Sequence, residues 1–269
     1  MRETSQQRRA VYILPSLFTT MGLFAGFYSL IASVQGRFEL AAWTIIAAAI
    51  FDILDGRVAR LLNAETSFGA EYDSLCDMLS FGIAPAVLVY LWALTPLGKP
   101  GWLAAFLMVA GAALRLARFN VQHDVQDKRY FSGLPTPAAA LLIASAVLFY
   151  HDIESLPWSW LWWMISVALA WLMVSNTRFI SGKDIDLRKG RQFTLVLLMV
   201  MMITIVMVAP YRILFAVFMA YCLHGSMMCL WQHHRIKELR QSRRQRRAER
   251  KQQQQPSPTT ETVEHEEKD

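Results

Sequence analysis

The chain has 269 residues, of which 54% are hydrophobic and only 18% charged, with nine tryptophans and a formal net charge of +6. A soluble domain carries nearer a quarter charged residues, and the apolar residues here fall in runs of about 20, the length that crosses a bilayer. Composition therefore excludes an ordinary soluble enzyme and predicts an all-α, polytopic bundle of transmembrane helices.

Eight candidate spans are predicted in chain order, over about 11–34, 39–62, 68–94, 101–119, 134–150, 156–175, 193–209 and 211–231. The short basic N-terminus is followed by no small-residue cleavage site, so the first span is read as retained. The second and third spans are less purely apolar because they carry aspartates. The last two are separated only by Ala209, Pro210, Tyr211 and Arg212, with Pro210 as the breaker. Cys76, Cys222 and Cys229 each lie inside an apolar run and read as packing residues rather than a disulfide framework.

Eight spans place both termini on one side. All of the 27 Lys and Arg residues except Arg37, Lys99 and Arg212 then fall on that same side. The positive-inside rule makes it the cytoplasmic one. Beyond about residue 235 the apolar residues almost vanish. Arg240, Arg243, Arg244, Arg246, Arg247 and Arg250 form a basic block, followed by Gln252 to Gln255 and an acidic end. Such a tail should be solvated. It suits a topology anchor attracted to anionic lipid, and no nucleic-acid partner is expected. The predicted organisation is a membrane domain over 1–192, two additional transmembrane helices over 193–234 and a basic-then-acidic tail over 235–269.

The chemistry sits on the second and third spans. There the chain reads Asp52-x2-Asp55-Gly56-x2-Ala59-Arg60-x8-Gly69-x3-Asp73-x3-Asp77. In a helix, residues three and four apart share a face. Asp52, Asp55, Gly56, Ala59 and Arg60 therefore line one face of the second span, and Gly69, Asp73 and Asp77 one face of the third. A short loop makes the two spans antiparallel neighbours, so four carboxylates can converge on one pocket near the cytoplasmic end. Ionised carboxylates at bilayer depth are expensive and mark function. Carboxylate oxygens are hard ligands suited to Mg²⁺ or Mn²⁺. Gly56, Ala59 and Gly69 either let helices pack closely or leave room for a flat base or a sugar. Arg60 suits a phosphate oxygen. This set is equipped for substitution at phosphorus, with one aspartate free to take a proton from an attacking hydroxyl. Four close carboxylates repel one another without a cation, so activity should require metal.

This pattern resembles the signature of the CDP-alcohol phosphotransferase family at every fixed position. The resemblance implies a six-helix core, usually dimeric, with a divalent-metal site open to the cytoplasm. It implies Asp52, Asp55, Asp73 and Asp77 as metal ligands, and Asp77 as general base. It assigns the CDP moiety to Asp55, Gly56, Ala59, Arg60, Gly69 and Asp73.

A finer resemblance runs over about residues 11–192. It rests on Phe68 to Asp77, Ser80 to Pro85, Leu114 to Asn120, Tyr130 to Ala140 and Lys183 to Arg188. These segments are similar to the branch of the family that uses serine as acceptor. The implied activity is transfer of the phosphatidyl group from CDP-diacylglycerol to L-serine in a bacterial inner membrane. The partners implied are those two substrates, the bilayer and a second copy of the chain. Arg suits the carboxylate of serine, so Arg118 first, Arg115 second, and Asn120 nearby are the candidate serine ligands. The main alternative is the same chemistry with glycerol 3-phosphate, inositol phosphate or choline as acceptor; the remote one is a cation transporter.

Overall fold

The computed structural model describes residues 2–62, 64, 66–122, 130–150, 158–175, 178–180 and 212–222. The predicted span at 193–209, the turn at Pro210 and the tail from 235 lie outside the described residues. The helices are α1 (Arg2–Val34), α2 (Phe38–Leu61), α3 (Ser67–Leu97), α4 (Lys99–Gln122), α5 (Thr136–Phe149), α6 (Ser159–Val174) and α7 (Arg212–Cys222). Three of them, over Leu14–Val34, Ser67–Leu97 and Lys99–Val121, are long and apolar enough to cross a membrane. α2 has the length, with 24 residues, but its last turns carry Asp52, Asp55, Arg57 and Arg60.

One departure from a wholly helical chain is seen. Strands β1 (Tyr130–Ser132) and β2 (Arg178–Ile180) pair antiparallel, with Phe131 opposite Phe179. Each is three residues long, so the ladder clips two connections together without forming a layer of the fold.

α1 and α2 form a helical hairpin closed by Gln35, Gly36 and Arg37, with Gly36 at φ +74°. The inner face of α1 carries small residues: Gly22, Ala25, Gly26, Ser29, Ala32 and Ser33 are all buried. That stripe lets α3 approach closely, because small side chains bring membrane helices together. Gly26 shows how closely: a Cβ placed there would lie 2.7 Å from the Ser80 Cα. Ser29 ties the hairpin by donating to the Ala41 carbonyl at 2.9 Å.

α3 is a single 31-residue rod, interrupted twice by wide π turns, at Met78–Ile83 and Tyr90–Leu94. Each is followed within two residues by a proline, Pro85 and Pro96. Proline lacks the N–H that the ladder needs and its ring crowds the carbonyl four residues back. A wide turn relieves that crowding and redirects the hydrogen bonds. At the second turn the Thr95 hydroxyl takes over, donating to the Tyr90 carbonyl at 2.9 Å.

Two apolar clusters share α3 and α5. One joins α1, α2, the middle of α3 and α5 through Ala42, Ile45, Phe81, Leu88, Ala144 and Leu148. The other joins the far half of α3 to α4, α5, α6 and α7 through Leu94, Met108, Leu142, Ile143, Trp162 and Met173. α5 is apolar on every side, which befits a central helix, and nearly all its side chains are buried. Large apolar side chains on the outer faces are instead exposed, among them Phe24, Trp102, Phe106, Leu114, Trp160 and Trp171. So many exposed large apolar side chains suit lipid rather than water.

Candidate active site

Asp52 and Asp55 lie on the last turns of α2, and Asp73 and Asp77 on the first turns of α3. Thr66 caps the start of α3, its hydroxyl accepting from the Gly69 N–H at 3.0 Å. The short connection between the helices turns their aspartate faces toward each other. All four aspartates line one cavity, with Thr19 and Gly22 from α1, Ala48 from α2, and Cys76, Ser80 and Phe81 from α3. The cavity has room for about one ion- or water-sized sphere (≈ 10 Å³).

Ligand atoms of Asp52, Asp55 and Asp73 all lie within 4.8 Å of one another. Asp77 lines the same cavity from one turn deeper along α3 but stands outside that triad. Asp55 is buried, at 5% exposure, and no cation from the described residues lines this cavity. An all-oxygen set of carboxylates at this spacing fits a hard divalent cation, so the residues present match the metal that their pattern predicts.

The other predicted nucleotide residues take positions around this centre rather than in it. Gly56 has open space on its surface, where an added Cβ would meet only the Arg60 guanidinium, at 3.7 and 3.8 Å. Arg60 is exposed and Ala59 half-buried. Gly69 sits in the first turn of α3, over its Thr66 cap.

The three predicted serine ligands separate in space. The Arg115 guanidinium donates from Nη1 to the Thr136 hydroxyl at 2.7 Å, and it lies within electrostatic reach of Asp77. Its Nε is buried with no hydrogen-bond partner. Arg118 instead donates to the Val174 carbonyl at 3.3 Å, and Val174 ends α6, where a cation suits the helix terminus. Asn120 accepts from the Ser74 hydroxyl at 3.1 Å and donates to Glu71 at 3.3 Å. Those residues line a separate cleft of about 200 Å³ against Leu75, Met78 and Leu116. At about 100° per residue, this is roughly the opposite face of α3 from Asp73 and Asp77.

Sequence reasoning missed Thr19, Ala48, Ser80 and Phe81. Thr19 is buried and donates to the Pro15 carbonyl at 3.2 Å. Ser80 donates to the Gly22 carbonyl at 3.2 Å, which seats α1 against the cavity. The hydroxyls of Thr20 and Tyr72 meet at 3.0 Å and make a second tie between α1 and α3.

Over residues 12–161 the chain matches the family described as CDP-alcohol phosphatidyltransferase. The match covers more than half of the sequence, and the chain belongs to that family. Its family and its apolar helices make it a membrane-integral protein. Among curated relatives, a CDP-diacylglycerol–serine O-phosphatidyltransferase of Helicobacter pylori is 37% identical over 224 residues, covering 82% of this chain and 92% of that one. The protein of the same description from Mycobacterium tuberculosis is 30% identical over 221 residues, covering 79% and 76%. An archaetidylserine synthase of Methanothermobacter thermautotrophicus is 35% identical over 170 residues, covering 62% and 69%.

Proposed function

We propose that this chain transfers the phosphatidyl group of CDP-diacylglycerol to the hydroxyl of L-serine, releasing CMP and leaving phosphatidylserine in the membrane. The observation that carries this reading is the meeting of Asp52, Asp55, Asp73 and Asp77 in one cavity. The names of the relatives support serine as the acceptor.

Asp52, Asp55, Asp73 and Asp77 would hold Mg²⁺ or Mn²⁺. A divalent ion there would supply charge neutralisation for the pyrophosphate and its leaving group. Asp55, Gly56, Ala59, Arg60, Gly69 and Asp73 receive the CDP moiety, with the open surface of Gly56 admitting it against the backbone and the Arg60 fork available to a phosphate oxygen. Asp77, outside the close triad, takes the proton of the serine hydroxyl. The serine oxygen bonds to the diacylglycerol-linked phosphorus as that phosphorus parts from the bridging oxygen. CMP departs with the bonding electron pair.

Serine binding falls to Arg115 ahead of Arg118 and Asn120. Arg115 keeps a buried, unpartnered Nε beside its bond to Thr136 and lies within electrostatic reach of Asp77, whereas Arg118 is bonded to the end of α6 and Asn120 to Ser74 and Glu71. The wider organisation completes the reading: eight spans with a six-helix catalytic core over 1–192, two further helices over 193–234 and a tail over 235–269. The enzyme is a homodimer in a bacterial inner membrane, with both termini and the active site cytoplasmic.

The decisive experiment measures CMP release from CDP-diacylglycerol by the purified protein with Mg²⁺ or Mn²⁺. L-serine, glycerol 3-phosphate, inositol phosphate and choline are offered separately. Release with serine alone, lost on chelation and restored by metal, is the expected result. Release with another acceptor instead would remove the serine assignment; a failure of all four would remove the transferase reading.

A further inference from the structure

Arg115 is the one side chain among the described residues with a buried polar atom that finds no hydrogen-bond partner. Leaving a charged donor unmatched is costly, and the edge of a guanidinium formed by Nε and one Nη nitrogen is the edge that pairs with a carboxylate. What holds the rest of this guanidinium is well defined. Thr136, which receives Nη1, is fully buried at the start of α5. The segment before it is pinned to the end of α6: Gly133 has φ +85°, and Leu134 donates from its N–H to the Leu172 carbonyl at 3.1 Å.

The second support comes from beyond the family-matched stretch. α7 packs on the second apolar cluster through Phe215, Phe218, Met219 and Tyr221. It is keyed there by Phe215, stacked on Phe149 with ring centroids 5.3 Å apart. This brings Tyr221 within electrostatic reach of Arg115, as Asp77 also is.

The geometry points to Thr136 and Tyr221 as positioning residues that aim the free Nε edge of Arg115 at the carboxylate of the acceptor, with α7 as a wall of the acceptor pocket. This rests on the serine reading above. It adds that specificity for an α-carboxylate is built partly by a helix outside residues 12–161.

The test compares L-serine with ethanolamine, which is serine without its carboxylate. CMP release is followed in the full-length protein with saturating CDP-diacylglycerol and metal. Thr136→Val and Tyr221→Phe should each raise the serine KM by about tenfold, the effect of losing one charge-assisted contact. Both should narrow the preference for serine over ethanolamine toward that of Arg115→Lys, while the CDP-diacylglycerol KM and the melting temperature hold. Thr136→Ser, which keeps the hydroxyl, should restore the serine KM. The inference falls if either variant keeps the wild-type serine KM, or if both substrates' KM values rise together with a lowered melting temperature. If the wild-type enzyme itself does not prefer serine to ethanolamine, the serine reading and this inference fall together.

Discussion

At the scale of the residue, the aspartates divide into a triad and a neighbour. Asp52, Asp55 and Asp73 have ligand atoms within 4.8 Å of one another, while Asp77 reaches the same cavity from one turn further along α3. Replacing Asp77 by Asn keeps its shape and removes its basicity. Turnover should fall by about 10²- to 10⁴-fold, the span of a lost general base, while CDP-diacylglycerol binding largely survives; single-turnover CMP release beside a binding assay checks both. Full activity in that variant would sink the assignment. Arg118→Ala bears on a different question. Losing its contact with the end of α6 should cost about 0.3–1 kcal/mol of stability, visible as a small drop in melting temperature. An effect mainly on the serine KM would instead return Arg118 to the pocket. The four aspartates were legible in the sequence because helical spacing places them on facing sides of adjacent helices. Thr19 and Ser80 were not. A hydroxyl in an apolar helix commonly bonds back to its own backbone, and only the docking of α1 on α3 shows that these two line the cavity.

At the scale of the element, the close approach of α1 to α3 depends on what Gly26 lacks. Gly26→Leu would drive a side chain into the backbone at Ser80, and overpacking of this kind costs about 1–3 kcal/mol. Because Ser80 lines the cavity, the variant should lose activity along with stability. Thermal unfolding and CMP release measured together check this, and an unchanged melting temperature would contradict the packing described. Helices α1 to α4 were readable from apolar runs; α1 starts at Arg2, nine residues before the expected span, and the other bounds fall within a few residues of expectation. The β1–β2 clip was not, because two three-residue segments far apart in sequence carry no periodicity. The wide turns in α3 were equally hidden, although Pro85 and Pro96 mark where the regular ladder must give way.

At the scale of the whole molecule, topology is the open prediction. The charge asymmetry predicts a cytoplasmic C-terminus. A fluorescent protein fused after Asp269 should therefore mature and glow, and alkaline phosphatase fused there should stay inactive; the reverse pattern would overturn the cytoplasmic placement of the C-terminus. Within the described residues, the aspartate half and the larger apolar half of the molecule meet along α3. The first wide turn, Met78–Ile83, falls directly between them. It behaves as a phase shifter on a shaft. One extra residue in that turn offsets everything before it by about 100° relative to everything after it. Deleting a single residue there would leave both halves intact as helices yet swing Asp73 and Asp77 away from Asp52 and Asp55. The timing of the site against the scaffold is thus written into one loose turn, not into the carboxylates themselves.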